Sequence, residues 1–166
     1  MQMSDQPVIR PFDDADSAHL WALLKPVFRA GETYAIDPAI SERDALEWWS
    51  KGTHRAFVAE AQGKVMGSYY ICPNQQGGGA HVCNCGFVTG AKAQGRGIAR
   101  AMIAHALETA RATGFRAMQF NRVVETNTRA VALWQRNGFE IVGRLPGAFR
   151  HPEQGYVDAL VMYRML

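Results

Sequence analysis

At 166 residues, with 48% hydrophobic and 20% charged side chains, the chain has the make-up of a globular protein that can bury a core of its own. A net charge of +3 without any block of like charges suits a ligand carrying several phosphates but is too weak to argue for nucleic acid. No apolar run approaches the ~18 residues of a membrane span, the opening Met1-Gln-Met-Ser-Asp-Gln-Pro7 holds no signal core, and three cysteines make no disulfide framework, so a reducing, cytoplasmic setting is expected.

The first predicted element is a strand from Val8 to Phe12. Asp14 and Asp16 are candidate caps for a helix carrying Leu20, Leu23, Leu24, Val27 and Phe28, in which Pro26 is a break or kink point. A loop with Glu32 and Tyr34 follows, and Ser41 with Asp44 opens a second helix bearing Trp48 and Trp49. Arg55 to Ala61 and Lys64 to Cys72 read as a hairpin turning at Gln62-Gly63. His81 to Val88 reads as a strand, and a glycine-rich loop then leads into a helix that Gly114 ends. Ala117 to Val124 is a strand, Asn127 to Arg136 a helix, and Phe139 to Val142 and Tyr156 to Met165 two closing strands. The order β-α-α-β-β-β-α-β-α-β-β shows no repeat and no linker, so residues 1–166 read as one domain.

The loop Gln94-Gly95-Arg96-Gly97-Ile98-Ala99 carries the strongest chemical signal. Its glycines leave backbone N–H groups uncovered, and the helical spacing of Ile98, Met102, Ile103, Ala106, Leu107 and Ala110 starts immediately after. A glycine turn feeding a helix N-terminus is a site for phosphate. A Walker A loop is excluded, because Gly90 to Gly97 lacks the Lys and the hydroxyl that reach the terminal phosphate and Mg²⁺. The dinucleotide pattern puts Gly or Ala at its sixth position, where Arg100 stands. Gln94, Gly97 and Ala99 do fit Q/R-x-x-G-x-G/A. A second block, Asn127-Thr-Arg-Ala130-Val-Ala-Leu133-Trp134-Gln-Arg-Asn137-Gly138-Phe139, fits N-x-x-A-x-x-L-Y-x-x-x-G-F with Trp in the Tyr place. There Asn127 or Thr126 is a cap, Ala130, Leu133 and Trp134 a buried stripe, and Asn137-Gly138 a helix stop.

Both motifs, in this order, resemble the GNAT superfamily of acyl-CoA N-acyltransferases. The resemblance implies an α/β fold of the α+β kind: a mixed, mostly antiparallel sheet whose two central strands, here His81–Val88 and Ala117–Val124, splay apart between flanking helices. It implies acetyl-CoA in that gap. Backbone groups of Phe87 and Val88 would meet the pantetheine arm, and Gln94, Gly95, Arg96, Gly97, Ile98 and Ala99 the pyrophosphate. Asn127 and Trp134 of the second motif would lie at the cofactor, with Lys92, Arg96 and Arg100 as candidates for its 3′-phosphate. A homodimer is a family-level expectation.

Acetyl transfer from a thioester to an amine needs a deprotonated nitrogen, donors for the oxyanion and a stabilised thiolate. Many family members supply an acid from the Tyr of the second motif, but the indole at Trp134 is a donor and not an acid at neutral pH. Trp134 is therefore expected to pack beside the cofactor. No Asp or Glu occurs from His81 to Val88. By period-2 alternation Val82, Asn84, Gly86 and Val88 share one face, and His81, Cys83, Cys85 and Phe87 the other. Asn84 and Asn121, one on each central strand, can bind the acceptor and the oxyanion; the competing reading is that backbone groups satisfy them. With Phe120 and the tail Gly147 to Asp158 they also resemble the yeast-type acetyltransferases of proline analogues such as azetidine-2-carboxylate. Tyr34 is equally a substrate wall or a loop anchor. His81, Cys83 and Cys85 are expected in the core and not on a metal, since alternate strand residues lie roughly 6.6 Å apart, wide for two thiolates on one Zn²⁺.

The expectation is thus an acetyl-CoA-dependent N-acetyltransferase acting on a small amine or amino acid in a ternary complex, its proton leaving through water, with His81 the second candidate base. Alternatives are a protein N-terminus, a polyamine or an antibiotic as acceptor, or a CoA-binding module without turnover.

Overall fold

The structure is a computed structural model that describes residues 6–93 and 95–166. Among the described residues seven strands form one sheet: β1 (Val8–Pro11), β2 (Arg55–Ala61), β3 (Lys64–Pro73), β4 (Val82–Thr89), β5 (Ala117–Val124), β6 (Glu140–His151) and β7 (Gly155–Met165). The helices are α1 (Ser17–Ala30), α2 (Glu42–Ser50), α3 (Ile98–Thr113) and α4 (Thr128–Arg136). The spatial order is β1-β2-β3-β4-β5-β7-β6. Every neighbouring pair is antiparallel except β4 with β5. Among the described residues no helix is long and apolar enough to cross a membrane.

The pleat divides the core in two. Tyr70, Cys72 and Val88 face Leu20, Leu24, Phe28, Ala45 and Trp49 of α1 and α2. Tyr69, Ile71, Cys83, Cys85, Met118 and Phe120 face Ile98, Met102, Ile103, Ala106 and Leu107 of α3. Each buried aliphatic side chain contributes about 1.5–3 kcal/mol, so these two layers dominate the fold's stability. Two buried polar side chains inside are paired: the Trp49 indole donates to Ser68 Oγ at 2.9 Å, and that hydroxyl donates to the Phe57 carbonyl at 2.7 Å.

Four details depart from the sequence expectation. Asp14 and Asp16 do not cap α1 through their side chains. Asp13 caps a short 3-10 turn over Asp14–Asp16 instead. Asp16 is drawn into a two-pronged pair with Arg10, at 2.8 and 2.9 Å. The Arg10 hydrogen bond holds the Asp16 carboxyl below its ordinary value. Pro26 neither breaks nor ends α1. The lost hydrogen bond and ring clash cost about 3 kcal/mol, which burial of Leu23, Leu24 and Phe28 outweighs. β6 runs to His151 and not to Val142. It absorbs Gly143, Pro146 and Gly147 through two register shifts against β7, with the Asp158 carboxylate accepting the Gly147 N–H at 2.9 Å. An edge strand tolerates a proline because one side of its ladder is free. Finally, α4 buries no residue fully, and its stripe of Ala130, Leu133 and Trp134 is only half-buried.

Two glycines allow close approach. A Cβ on Gly67 would lie 2.9 Å from Met102 Cε and 3.0 Å from Ile98 Cγ2, so its absence lets the first turns of α3 rest on β3. A Cβ on Gly86 would lie 2.3 Å from the ring of Tyr70. Gly86→Ala is expected to displace that ring and lower stability by about 1–3 kcal/mol, read as a fall in urea midpoint; an unchanged midpoint would show that the ring moves freely.

Two histidines give the fold an acid limit. Burial lowers His54, which stacks on Tyr70 with centroids 4.0 Å apart, and His105, whose Nδ1 lies 2.7 Å from the Tyr69 hydroxyl. Both are held neutral when folded, while the unfolded chain takes up protons near pH 6.5. Their contribution is complete above about pH 6.5 and is lost as the pH falls toward their lowered folded values. Asp16 acts in the same direction only below about pH 4. Urea midpoints are expected to be level from about pH 8 to 7 and to fall between about 6.5 and 5, less steeply in His105→Asn; a midpoint that climbs on acidification contradicts this.

Candidate active site

β4 and β5 pair only at Val82↔Ala117 and Cys83↔Met118, and then part. Parting two neighbouring strands leaves backbone N–H and C=O groups along the gap without a sheet partner. An extended ligand can take the place of the missing strand. At the fork Asn84 Nδ2 donates to the Gln119 carbonyl at 2.9 Å, bridging the strands one residue past their last pair. β5 shifts register against β7 between Phe120 and Val123, which leaves Asn121 and Arg122 exposed.

The glycine loop lies between the end of β4 and α3. Gly90 N–H donates to the Met66 carbonyl at 2.9 Å, which anchors the loop's start. Gly95 and Gly97 adopt φ of 76° and 73°, and a Cβ at either would meet nothing within 4 Å, so the loop is open to a ligand on that side. Gly97 is the N-cap of α3 and supplies no side-chain cap. The first-turn N–H groups therefore have no intrahelical partner and carry the positive end of the helix dipole. Ile98 is buried in the core and Ala99 half-buried, which fixes that turn. Arg96 is exposed and lies against Met66, Nη1 to Sδ 3.5 Å. These open, neutral donors at a helix N-terminus fit a diphosphate. Gln94 lies outside the described residues.

α4 forms the other wall. Asn127 accepts the Ala130 N–H at 3.2 Å, so its carboxamide oxygen is engaged as a cap. Trp134 packs on Phe120 at 4.3 Å, Phe87 at 5.3 Å and Phe139 at 5.8 Å between centroids. Its ring is half-buried at the margin of the α3-side core. Val88 is buried under α1. The Phe87 carbonyl accepts the Tyr34 hydroxyl at 2.8 Å, so Tyr34 ties the α1–α2 loop to the edge of the gap.

Asn84, Gln119 and Asn121 share the α1–α2 side of the sheet with Tyr70. Asn84 bonds to backbone as the bland reading expects, but Asn121 is exposed and bonds only to side chains: Gln119 Nε2 donates to it at 2.8 Å, and it donates to Asn74 Oδ1 at 2.7 Å. Tyr70, Gln119 and Asn74 were not singled out from the sequence. Gln119 was visible there, two residues before Asn121 on the same strand face. Asn74 was not, because its approach depends on where the β3–β4 loop folds. Burial pushes the Tyr34 and Tyr70 hydroxyls well above their usual values and keeps them protonated. It also pushes the Cys72 thiol to about 11 and the Cys85 thiol up, so neither is a nucleophile at neutral pH. His81 stands outside the fork, at the closed end of the β4–β5 pair, in a groove of about 470 Å³ shared with Arg116 and Tyr163.

Known proteins share this fold. Residues 18–139 match the Acetyltransferase (GNAT) family. The N-acetyltransferase aca1 of Schizosaccharomyces pombe is 36% identical over 148 residues, covering 79% of this chain and 71% of that protein. The structure of a GCN5-related N-acetyltransferase from Kribbella flavida aligns with a TM-score of 0.91 at 42% identity, over 99% of this chain and 100% of that one. A phosphinothricin acetyltransferase from Sinorhizobium meliloti, solved in complex with acetyl-CoA, shares the fold with a TM-score of 0.83 at 20% identity, over 97% and 89% of the two chains. The chain belongs to the acetyltransferase (GNAT) family: it is an N-acetyltransferase, and acetyl-CoA is its co-substrate.

Proposed function

We propose that the chain, acting as one domain over residues 1–166, acetylates the nitrogen of a small amine or amino acid, secondary ring amines of the proline-analogue type included, with both substrates bound together. The observation that carries this is the fork itself: one polar bridge, Asn84 to the Gln119 carbonyl, at its apex, and an open glycine loop at its mouth. The relative named an N-acetyltransferase in Schizosaccharomyces pombe supports the chemistry.

When bound, acetyl-CoA supplies an activated acyl group on a thiol leaving group. The chain's part is placement. The N–H groups of Gly95, Gly97, Ile98 and Ala99 hold the diphosphate, with Gln94 in the same loop; Arg96 offers its side chain, since its N–H already donates to the Ala93 carbonyl at 3.2 Å. The backbone of Phe87 and Val88 takes the pantetheine arm as a sheet partner. Trp134 and Asn127 wall the arm from α4, and Trp134 donates no proton to the thiolate. Tyr34 closes the opposite side. The amide protons of Asn84 and Asn121 meet the acceptor and the developing oxyanion, where a preorganised donor is effective because it need not reorient. No ionised base is needed if the amine arrives neutral. Positioning then carries the rate, and water takes the proton.

Thiol release from acetyl-CoA, measured against proline analogues, primary amino acids, amines and polyamines, tests the substrate class; turnover confined to polyamines would overturn it. Gly97→Val places a branched side chain at φ 73° and is expected to raise the acetyl-CoA KM at least about tenfold while the acceptor KM stays within about twofold. An unchanged acetyl-CoA KM would remove the loop from the cofactor site. With no enzyme base, log kcat/KM is expected to climb about one unit per pH unit from roughly pH 6.5 to 8.5, as more of the amine (pKa about 10) is neutral. A plateau beginning near pH 7 would reveal a base on the protein.

A further inference from the structure

Five side chains and one backbone carbonyl form a line across the fork, joined by hydrogen bonds and, at Gln119, through the residue itself. The Tyr70 hydroxyl donates to Asn84 Oδ1 at 3.4 Å, and Asn84 Nδ2 donates to the Gln119 carbonyl at 2.9 Å. Gln119 Nε2 donates to Asn121 Oδ1 at 2.8 Å, and Asn121 Nδ2 donates to Asn74 Oδ1 at 2.7 Å. Among the described residues no charged side chain bonds to any member of this line.

A lone carboxamide can turn over and exchange its oxygen for its nitrogen, reversing what it offers a ligand. Asn121 is not alone. Gln119 meets its oxygen with a donor, and Asn74 meets its nitrogen with an acceptor. Turning Asn121 by itself would set oxygen against oxygen and N–H against N–H, so the three amides reverse only together. We infer that Gln119 and Asn74 are positioning residues that fix the direction of the Asn121 carboxamide and thereby decide which of its atoms the acceptor molecule meets. This rests on the reading that Asn121 faces the acceptor. In the observed direction, Asn84 and Asn121 each keep one unused Nδ2 proton. The fitting partner is an oxygen acceptor on the substrate, a carboxylate or a carbonyl. A substrate whose only polar group is an ammonium finds no counter-charge in the line.

The test reverses the line. In Gln119→Glu the side chain at 119 can only accept, so Asn121 turns its nitrogen toward it and Asn74 follows. Asn74→Asp keeps the acceptor at 74 and the original direction, and adds the same charge at the opposite end. For an amino-acid acceptor, Gln119→Glu is expected to raise the acceptor KM about tenfold, the weight of one hydrogen bond, with the acetyl-CoA KM unchanged within about twofold. Asn74→Asp is expected to stay within about threefold of the parent for both. Should Gln119→Glu misfold, Asn74→Ala, which frees Asn121 to turn, replaces it with a rise in acceptor KM expected. An acceptor KM that does not move in these variants, or an equal rise in Asn74→Asp, overturns the inference and leaves the small-acceptor reading standing. A parent enzyme that releases no thiol with any small amine or amino acid overturns both.

Discussion

The early parting of β4 and β5 is the constraint around which the molecule is arranged. A sheet that opens in its middle forgoes backbone hydrogen bonds, and each buried polar group left unmet costs about 1–3 kcal/mol. The sheet stays whole because each parting strand keeps its outer neighbour, β3 for β4 and β7 for β5. The opening is then trimmed with side chains. Asn84 reaches across the apex to a backbone carbonyl, and Tyr34 reaches over from the α1–α2 loop to another. α4 contributes one ring, that of Trp134, which packs on Phe87 of β4 and Phe120 of β5.

The same constraint explains the glycines. Gly67 lets α3 sit so close to β3 that its N-terminal turn is clamped by Ile98 and Met102. Gly86 makes room for the Tyr70 ring to lie across β4 and aim its hydroxyl at Asn84. A missing side chain in each case converts a packing surface into a positioning device. The donors at the loop and the amides at the fork are thus held by the rigid core, which is what transfer between two bound molecules requires.

The elements and their order were legible in the sequence because hydrophobic periodicity records burial. The hairpin at Gln62-Gly63, the long helix after Gly97 and the Ser41 cap all follow from local rules that tertiary packing did not override. What was not legible depended on partners distant in the chain. Asp16 looks like a cap until Arg10 takes it, and Pro26 looks like a break until the core around α1 holds the helix through it. Asn121 reads from sequence only as the counterpart of Asn84, and Asn74 arrives from 47 residues away. The stripe of α4 was different: its helical period was correct, but no residue of that helix is fully buried.

β6 closes the sheet at its far edge, with Ile141, Val142 and Leu145 exposed along it. A regular edge of that length would be a template on which any extended chain could add itself. The register shifts at Ile141/Gly143 and Leu145/Phe149 and the ring of Pro146 interrupt its outer row of donors and acceptors. The fork and the β6 edge of one sheet therefore behave in opposite manners. The central one has been left able to accept an extended guest, while the outer one is kinked so that strand addition stops with β6.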